Sequence, residues 1–145
     1  MAHWRLFYHF VWVTKSRESL LTAELQIRVF PYLMSKGREL GTLMLALNGS
    51  EDHVHVVAAV PPRMAPAEFV KRLKGASSRF ISRQLGLPFS WQEGYGVYSI
   101  SETDVQRVVE YVRAQKEHHR SRTCVAGWES MSGGDNGPGL ERPGH

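Results

Sequence analysis

The chain has 145 residues, 42% hydrophobic and 22% charged, which suits one domain with its own core and leaves both enzyme and binding module open. Eighteen Lys and Arg against fourteen Asp and Glu give a formal net charge of +4, so anionic partners are favoured and nucleic acid leads among them. The single Cys124 excludes an internal disulfide and a paired-cysteine zinc site, and no apolar run reaches the roughly 18 to 20 residues that span a bilayer, so the expectation is a cytoplasmic protein with no membrane partner.

Residues 4–14, WRLFYHFVWVT, are dense in aromatic and β-branched types and read as a first strand, closed by the polar KSRE turn. Thr22 suits the N-cap of a helix over 23–40, where Leu25, Val29, Leu33 and Leu40 recur at roughly helical spacing and Gly41 provides a stop. Pro31 falls inside that helix and is expected to kink or split it, because it has no N–H to donate and crowds the preceding turn. Residues 42–48, TLMLALN, and 53–60, HVHVVAAV, form the second and third strands around a short hairpin of Gly49, Ser50, Glu51 and Asp52.

A second helix follows over 65–85, with Phe69, Val70, Leu73, Phe80, Ile81 and Leu85 near a helical period and Pro66 in its first turn. Residues 95–100 read as a fourth strand, and Thr103 with Gln106 gives a capping-box signature for a third helix reaching about His119. Past Arg120 the chain turns Gly-rich and aperiodic, so the domain is expected at 1–120 with a flexible tail over 121–145. The order βαββαβ plus a terminal helix predicts the α+β class, as a ferredoxin-like sandwich whose mainly antiparallel four-stranded sheet is covered by helices.

Alternation along the third strand puts His53, His55 and Val57 on one face and Val54, Val56 and Ala58 on the other, so both imidazoles can converge on one ion. Single histidines satisfied at a strand end give the same pattern. In the last helix Val105, Val108, Val109 and Val112 form the core stripe, while Tyr111 and Gln115, separated by only about 40° around the axis, project from one flank. A boundary tyrosine beside a solvated glutamine fits that spacing as well. Between 66 and 86, Lys71, Arg72, Lys74, Arg79 and Arg83 stand against Glu68 alone, and with Lys15 and Arg17 past strand one they are candidates for phosphate contacts, or else a solvated basic face.

The series YHFVWVTKSR, DHVHVV, PP, FVKRLKGASSR, a Trp, GYGVYSIS and YVRAQKEHH, in that order over residues 4–119, resembles the single-tyrosine HUH transposases of the smallest insertion sequences, a group that includes the REP-associated tyrosine transposases. The resemblance implies His53 and His55 as metal ligands, Gln115 as the third protein ligand and Tyr111 as the nucleophile. Tyr8, Tyr32, Tyr95 and Tyr98 lack that helical setting and read as packing residues. Nitrogen ligands favour Mn²⁺ and a phosphate substrate suits Mg²⁺, so the cofactor is expected to be Mg²⁺ or Mn²⁺.

The implied reaction is attack by Tyr111 on the phosphorus of single-stranded DNA, leaving a 5′-phosphotyrosine and a free 3′-hydroxyl, with a second 3′-hydroxyl reversing the step on another strand. The implied partners are single-stranded DNA with hairpin ends and a second copy of the chain, in a homodimer whose active sites can be completed in trans. The implied setting is the nucleoid of a bacterial or archaeal cell. Beside this reading stand a domesticated, non-mobile relative of the REP-associated type, a non-catalytic nucleic-acid-binding domain, and a structural metal site on the histidine pair.

Overall fold

The structure, a computed structural model, describes residues 4–115, so the expected end of the last helix near His119 and the tail over 121–145 lie outside the described residues. The elements are β1 (Phe7–Val13), α1 (Ala23–Glu39), β2 (Leu43–Gly49), β3 (His53–Ala59), α2 (Pro66–Arg79), β4 (Gly96–Ile100) and α3 (Val105–Arg113). Short helical turns occupy Lys15–Arg17, Phe80–Gln84 and Glu102–Asp104.

The four strands form one antiparallel sheet in the order β2-β3-β1-β4. Two β-α-β units are thereby interleaved, with β1 and β3 in the middle, which is the ferredoxin-like arrangement. Alternation then sorts the side chains. Phe10 and Trp12 of β1 and Val54, Val56 and Ala58 of β3 meet Leu25, Val29 and Leu33 of α1 and Phe69, Val70 and Leu73 of α2 in the larger core. On the opposite face Val57 and Ala46 meet Val108, Val109, Tyr111 and Val112 of α3. Every residue of β3 is buried, as a central strand covered on both faces requires.

Local chemistry sets several boundaries. Thr22 caps α1, its side chain accepting from the Leu25 amide at 3.2 Å. Gly41 ends the helix with φ +83°, a left-handed conformation that side chains resist. Pro66 sits in the first turn of α2.

Three local expectations are corrected. Pro31 does not split α1, which runs unbroken through it. Pro31 lies on the exposed side of the helix, where water can serve the carbonyl that loses its partner. The Thr103–Gln106 capping box does not form. Ser101 Oγ instead bonds Thr103 Oγ1 at 3.1 Å and Asp104 Oδ2 at 3.0 Å, while the Gln106 amide reaches forward to Glu110 Oε2 at 3.0 Å. The second helix is not uniformly α-helical to residue 85, because Phe80–Gln84 is a π turn. Phe80 there stacks on Tyr32 of α1, centroids 4.3 Å apart and planes 8° from parallel, while Ile81 is fully buried. The wider turn serves both contacts. Among the described residues no helix is long and apolar enough to cross a membrane.

Candidate active site on the second face of the sheet

The hairpin between β2 and β3 aims His53. It closes with the Ser50 amide donating to the His53 carbonyl at 3.0 Å, and a Cβ at Gly49 would fall 2.2 Å from that same oxygen, so only glycine fits there. His53 is fully buried, and its Nδ1 lies 2.8 Å from Asp52 Oδ1. An ionised carboxylate can only accept, so Nδ1 donates and Nε2 is the nitrogen that would hold an ion.

Asp52 is itself held. Arg17 Nε and Nη2 approach its Oδ2 at 3.1 and 2.9 Å, and Ser50 Oγ donates to Oδ1 at 3.2 Å. Half-burial works to raise the Asp52 carboxyl, but the hydrogen bond and charge of His53, the charge of Arg17 and the Ser50 hydroxyl outweigh it and bring the pKa down to about 2. Arg17 reaches this position from two successive left-handed residues, Ser16 at φ 55° and Arg17 at φ 54°. The turn is pinned by the Ser16 amide on Gln92 Oε1 at 2.8 Å and the Arg17 amide on the Thr14 carbonyl at 2.9 Å.

His55 is oriented from the neighbouring strand. The β1–β3 register sets Val11 opposite His55 and Val57 opposite His9, so His9 stands on the same face one step along. His9 Nε2 lies 2.8 Å from His55 Nδ1, and the two rings stack with centroids 5.0 Å apart. Should His55 ligate through Nε2, its Nδ1–H donates to His9, the tautomer that a ligating histidine needs. The His53 and His55 rings are 5.0 Å apart, nearly perpendicular.

The last helix brings the other two residues. The Tyr111 ring meets His55 edge-on at 6.2 Å, and Gln115, also fully buried, follows four residues later. The Asn48 amide, directly opposite His55 in the β2–β3 ladder, donates to the Arg113 carbonyl at 3.0 Å and ties the end of α3 to the sheet. His53, His55 and Tyr111 thus come together on the α3 face of the sheet within a single chain, with Gln115 buried four residues after Tyr111. Tyr8 and Tyr95 pack against the larger core and Tyr32 stacks on Phe80, while Tyr98, opposite His9 in the β1–β4 ladder, lies on the histidine face with its ring centroid 6.1 Å from that of His9.

His9, Asp52 and Asn48 escaped the sequence reading. The signal for His9 was its alternation with Val11 and Val13, and for Asp52 its place next to His53, but both depend on which strand pairs with which.

The basic residues divide between places. Lys15 and Arg17 lie at the His53 end of the sheet, Arg17 committed to Asp52. Lys71, Arg72, Lys74 and Arg79 lie on α2, across the sheet from the histidines, with Arg83 on the π turn beyond it. Arg72 pairs with Glu68 at 2.8 Å. Lys74 is half buried and donates to the Gln92 and Gly94 carbonyls at 2.7 and 2.9 Å, and burial holds its pKa below the usual lysine value.

The sequence matches the family model described as IS200-like transposase over residues 2–115. The ISDra2 transposase TnpA of Deinococcus radiodurans is 27% identical over 121 residues, covering 79% of this chain and 86% of the relative. The transposase of insertion sequence element IS200 from Salmonella typhimurium is 27% identical over 129 residues, covering 83% and 84%. Among solved structures, a Deinococcus radiodurans protein assigned as a transposase superposes with a TM-score of 0.62 at 30% identity, covering 79% of this chain and 93% of that one. A REP-associated tyrosine transposase bound to a REP hairpin shares the fold with a TM-score of 0.61 at 18% identity, covering 82% and 74%. With the family model spanning all of the described residues, the chain belongs to the IS200-like family of DNA transposases.

Proposed function

We propose that this transposase cuts and rejoins single-stranded DNA at hairpin ends, with Tyr111 as the nucleophile and His53, His55 and Gln115 holding Mg²⁺ or Mn²⁺. The observation that supports the reading is the contact of the two β3 histidine rings with each other and of His55 with Tyr111 from α3, on one buried face.

The donor set fits a catalytic ion. Among the described residues no group of three or more His, Cys, Asp or Glu side chains is placed to hold a metal. Two imidazoles therefore need a third ligand of another kind, and the Gln115 amide oxygen supplies a hard donor suited to Mg²⁺ or Mn²⁺. Asp52 accepts from Nδ1 of His53, and His9 is placed to accept from Nδ1 of a ligating His55. When bound, such an ion polarises the scissile phosphate and stabilises charge on the leaving oxygen.

The protein's own part is positioning. α3 carries the Tyr111 phenol to the phosphate. Its oxygen forms a bond to phosphorus as the bond to the 3′ oxygen breaks, the phenol loses its proton, and the 3′ oxygen takes one up. The bond energy is kept in the 5′-phosphotyrosine, so a later 3′-hydroxyl can reverse the step without ATP. Hairpin-ended substrate is supported by the fold shared with a protein that binds a REP hairpin. The ring contact between Tyr111 and His55 of one chain supports a site complete in cis, with a homodimer that exchanges α3 as the competing arrangement.

The test is metal dependence of cleavage. An oligonucleotide carrying a hairpin end from the DNA flanking the gene should be cut with Mn²⁺ and spared with excess chelator, and His53→Ala should abolish cutting. Cleavage that persists under chelation would contradict the proposed centre.

A further inference from the structure

Across the sheet from the histidines, the end of α2 carries a feature that the proposed chemistry does not use. An open cavity of about 410 Å³ lies between α2, the π turn and residues 89–91. Its walls include Ser78, Arg79, Ser82, Arg83, Phe89 and Trp91, and no carboxylate lines it.

Its charge is available to a ligand. Arg79 and Arg83 are exposed and make no ion pair among the described residues, unlike Arg17 and Arg72. The hydroxyls of Ser78 and Ser82 already donate to the Gly75 and Ser78 carbonyls, at 3.2 and 2.7 Å, so the donors open to an anion are the guanidiniums. The π turn begins between the two arginines and shifts Arg83 from where a continued α-helix would carry it, yet both line the one cavity. Such turns recur at functional sites.

The other wall is aromatic and rigid. Phe89 and Trp91 meet edge to face, 4.7 Å between centroids. Trp91 is fixed by its indole N–H on Ser77 Oγ at 2.9 Å and by its bridge to Thr14. Lys74 holds the segment that follows through the Gln92 and Gly94 carbonyls. This wall also leads toward the histidine end of the sheet. The Lys15 amide donates to the Ser90 carbonyl at 3.1 Å, and the same turn carries Arg17 to Asp52 and so to His53.

Guanidiniums without acids beside fixed, half-exposed rings are what a phosphate and an unpaired base require. We propose that this cavity holds one nucleotide of single-stranded DNA away from the cleaved position, its phosphates on Arg79 and Arg83 and its base against Phe89 and Trp91. The proposal rests on the single-stranded substrate argued above and adds where the uncut part of the strand is held.

The test uses full-length protein carrying Tyr111→Phe, so that binding is read without covalent trapping. Anisotropy with single-stranded oligonucleotides is measured across a salt series, and 2-aminopurine is moved along the strand one position at a time. Adding Arg79→Ala and Arg83→Ala should weaken binding about tenfold or more. It should also lower the slope of log K against log salt by about 1.4, at roughly 0.7 per phosphate contact. Adding Arg79→Lys and Arg83→Lys instead should keep most of the slope. One 2-aminopurine position should be quenched, and Phe89→Leu should restore its emission. Unchanged affinity and slope in the double alanine variant, with the parent still binding, would overturn the cavity alone. Equal losses for duplex and single strand, or no quenched position, would also overturn it. A parent protein that binds no single strand at all would remove the proposed function, and the cavity with it.

Discussion

His9 Nε2 and His55 Nδ1 meet at 2.8 Å across the β1–β3 ladder, with both rings almost wholly buried. His9 is thus placed to do for a ligating His55 what the Asp52 carboxylate does for His53, accepting from Nδ1 and leaving the other ring nitrogen to the ion. Replacing His9 by Phe fills the space and removes the acceptor. The expected result is a loss of about 10- to 100-fold in Mn²⁺ affinity by calorimetry, the range for a lost partner of a metal ligand. Undiminished affinity would show that His9 only packs.

The depressed Asp52 carboxyl makes a prediction for the metal-free protein. Its folded pKa of about 2 lies below the ordinary 3.8, so the charged form is favoured by folding. Its contribution to stability is complete above about pH 4 and is lost as pH falls toward 2, since protonation then favours the unfolded chain. Allowing for partial exposure, that contribution is roughly 1 to 2 kcal/mol. Asp52→Asn should therefore lower stability near pH 6 and flatten the acid limb of a denaturation series. A variant whose stability falls with acid just as steeply as the parent's would show that the carboxyl is not held low.

Lys74 and the two arginines near it should separate by assay. Lys74 spends its ammonium on two backbone carbonyls, and hydrogen bonds from a charged donor are each worth about 1.5 to 3 kcal/mol. Lys74→Met should lower the unfolding free energy by about 2 kcal/mol or more, whereas Arg79→Ala should leave it within about 0.5 kcal/mol, as for other exposed positions. Chemical denaturation of the two variants decides between them, and equal stability would deny Lys74 its structural part.

The strands and the alternation of the histidine pair were legible because they follow from local period. His53 and His55 alternate with Val54 and Val56, and Tyr111 and Gln115 sit four apart beside a valine stripe. What was not legible depended on contacts between distant segments. His9 becomes His55's partner only through the register that sets Val11 opposite His55. The π turn follows a stack between Phe80 and Tyr32 of another helix. Pro31 was misjudged because its effect depends on which way it faces, and the Thr103–Gln106 signature lost to the hydrogen bonds of Ser101. The basic residues looked like one group, yet the structure commits Arg17 and Lys74 to internal partners and leaves Arg79 and Arg83 exposed.

Placement of Tyr111 against His55 of its own chain predicts the behaviour of mixed variants. Tyr111→Phe and His55→Ala proteins should each be inactive, and mixing them should restore no cleavage if each chain completes its own site. Recovery toward a quarter or more of the activity would mean that α3 serves a partner instead.

The most direct test maps the covalent bond. Full-length protein is incubated with Mn²⁺ and a single strand carrying the hairpin end, digested, and the nucleotide-bearing peptide sequenced by mass spectrometry. The account predicts one adduct, a 5′-phosphate ester on Tyr111, absent with chelator and absent in Tyr111→Phe. An adduct on another residue, or one that forms undiminished in Tyr111→Phe, would contradict it.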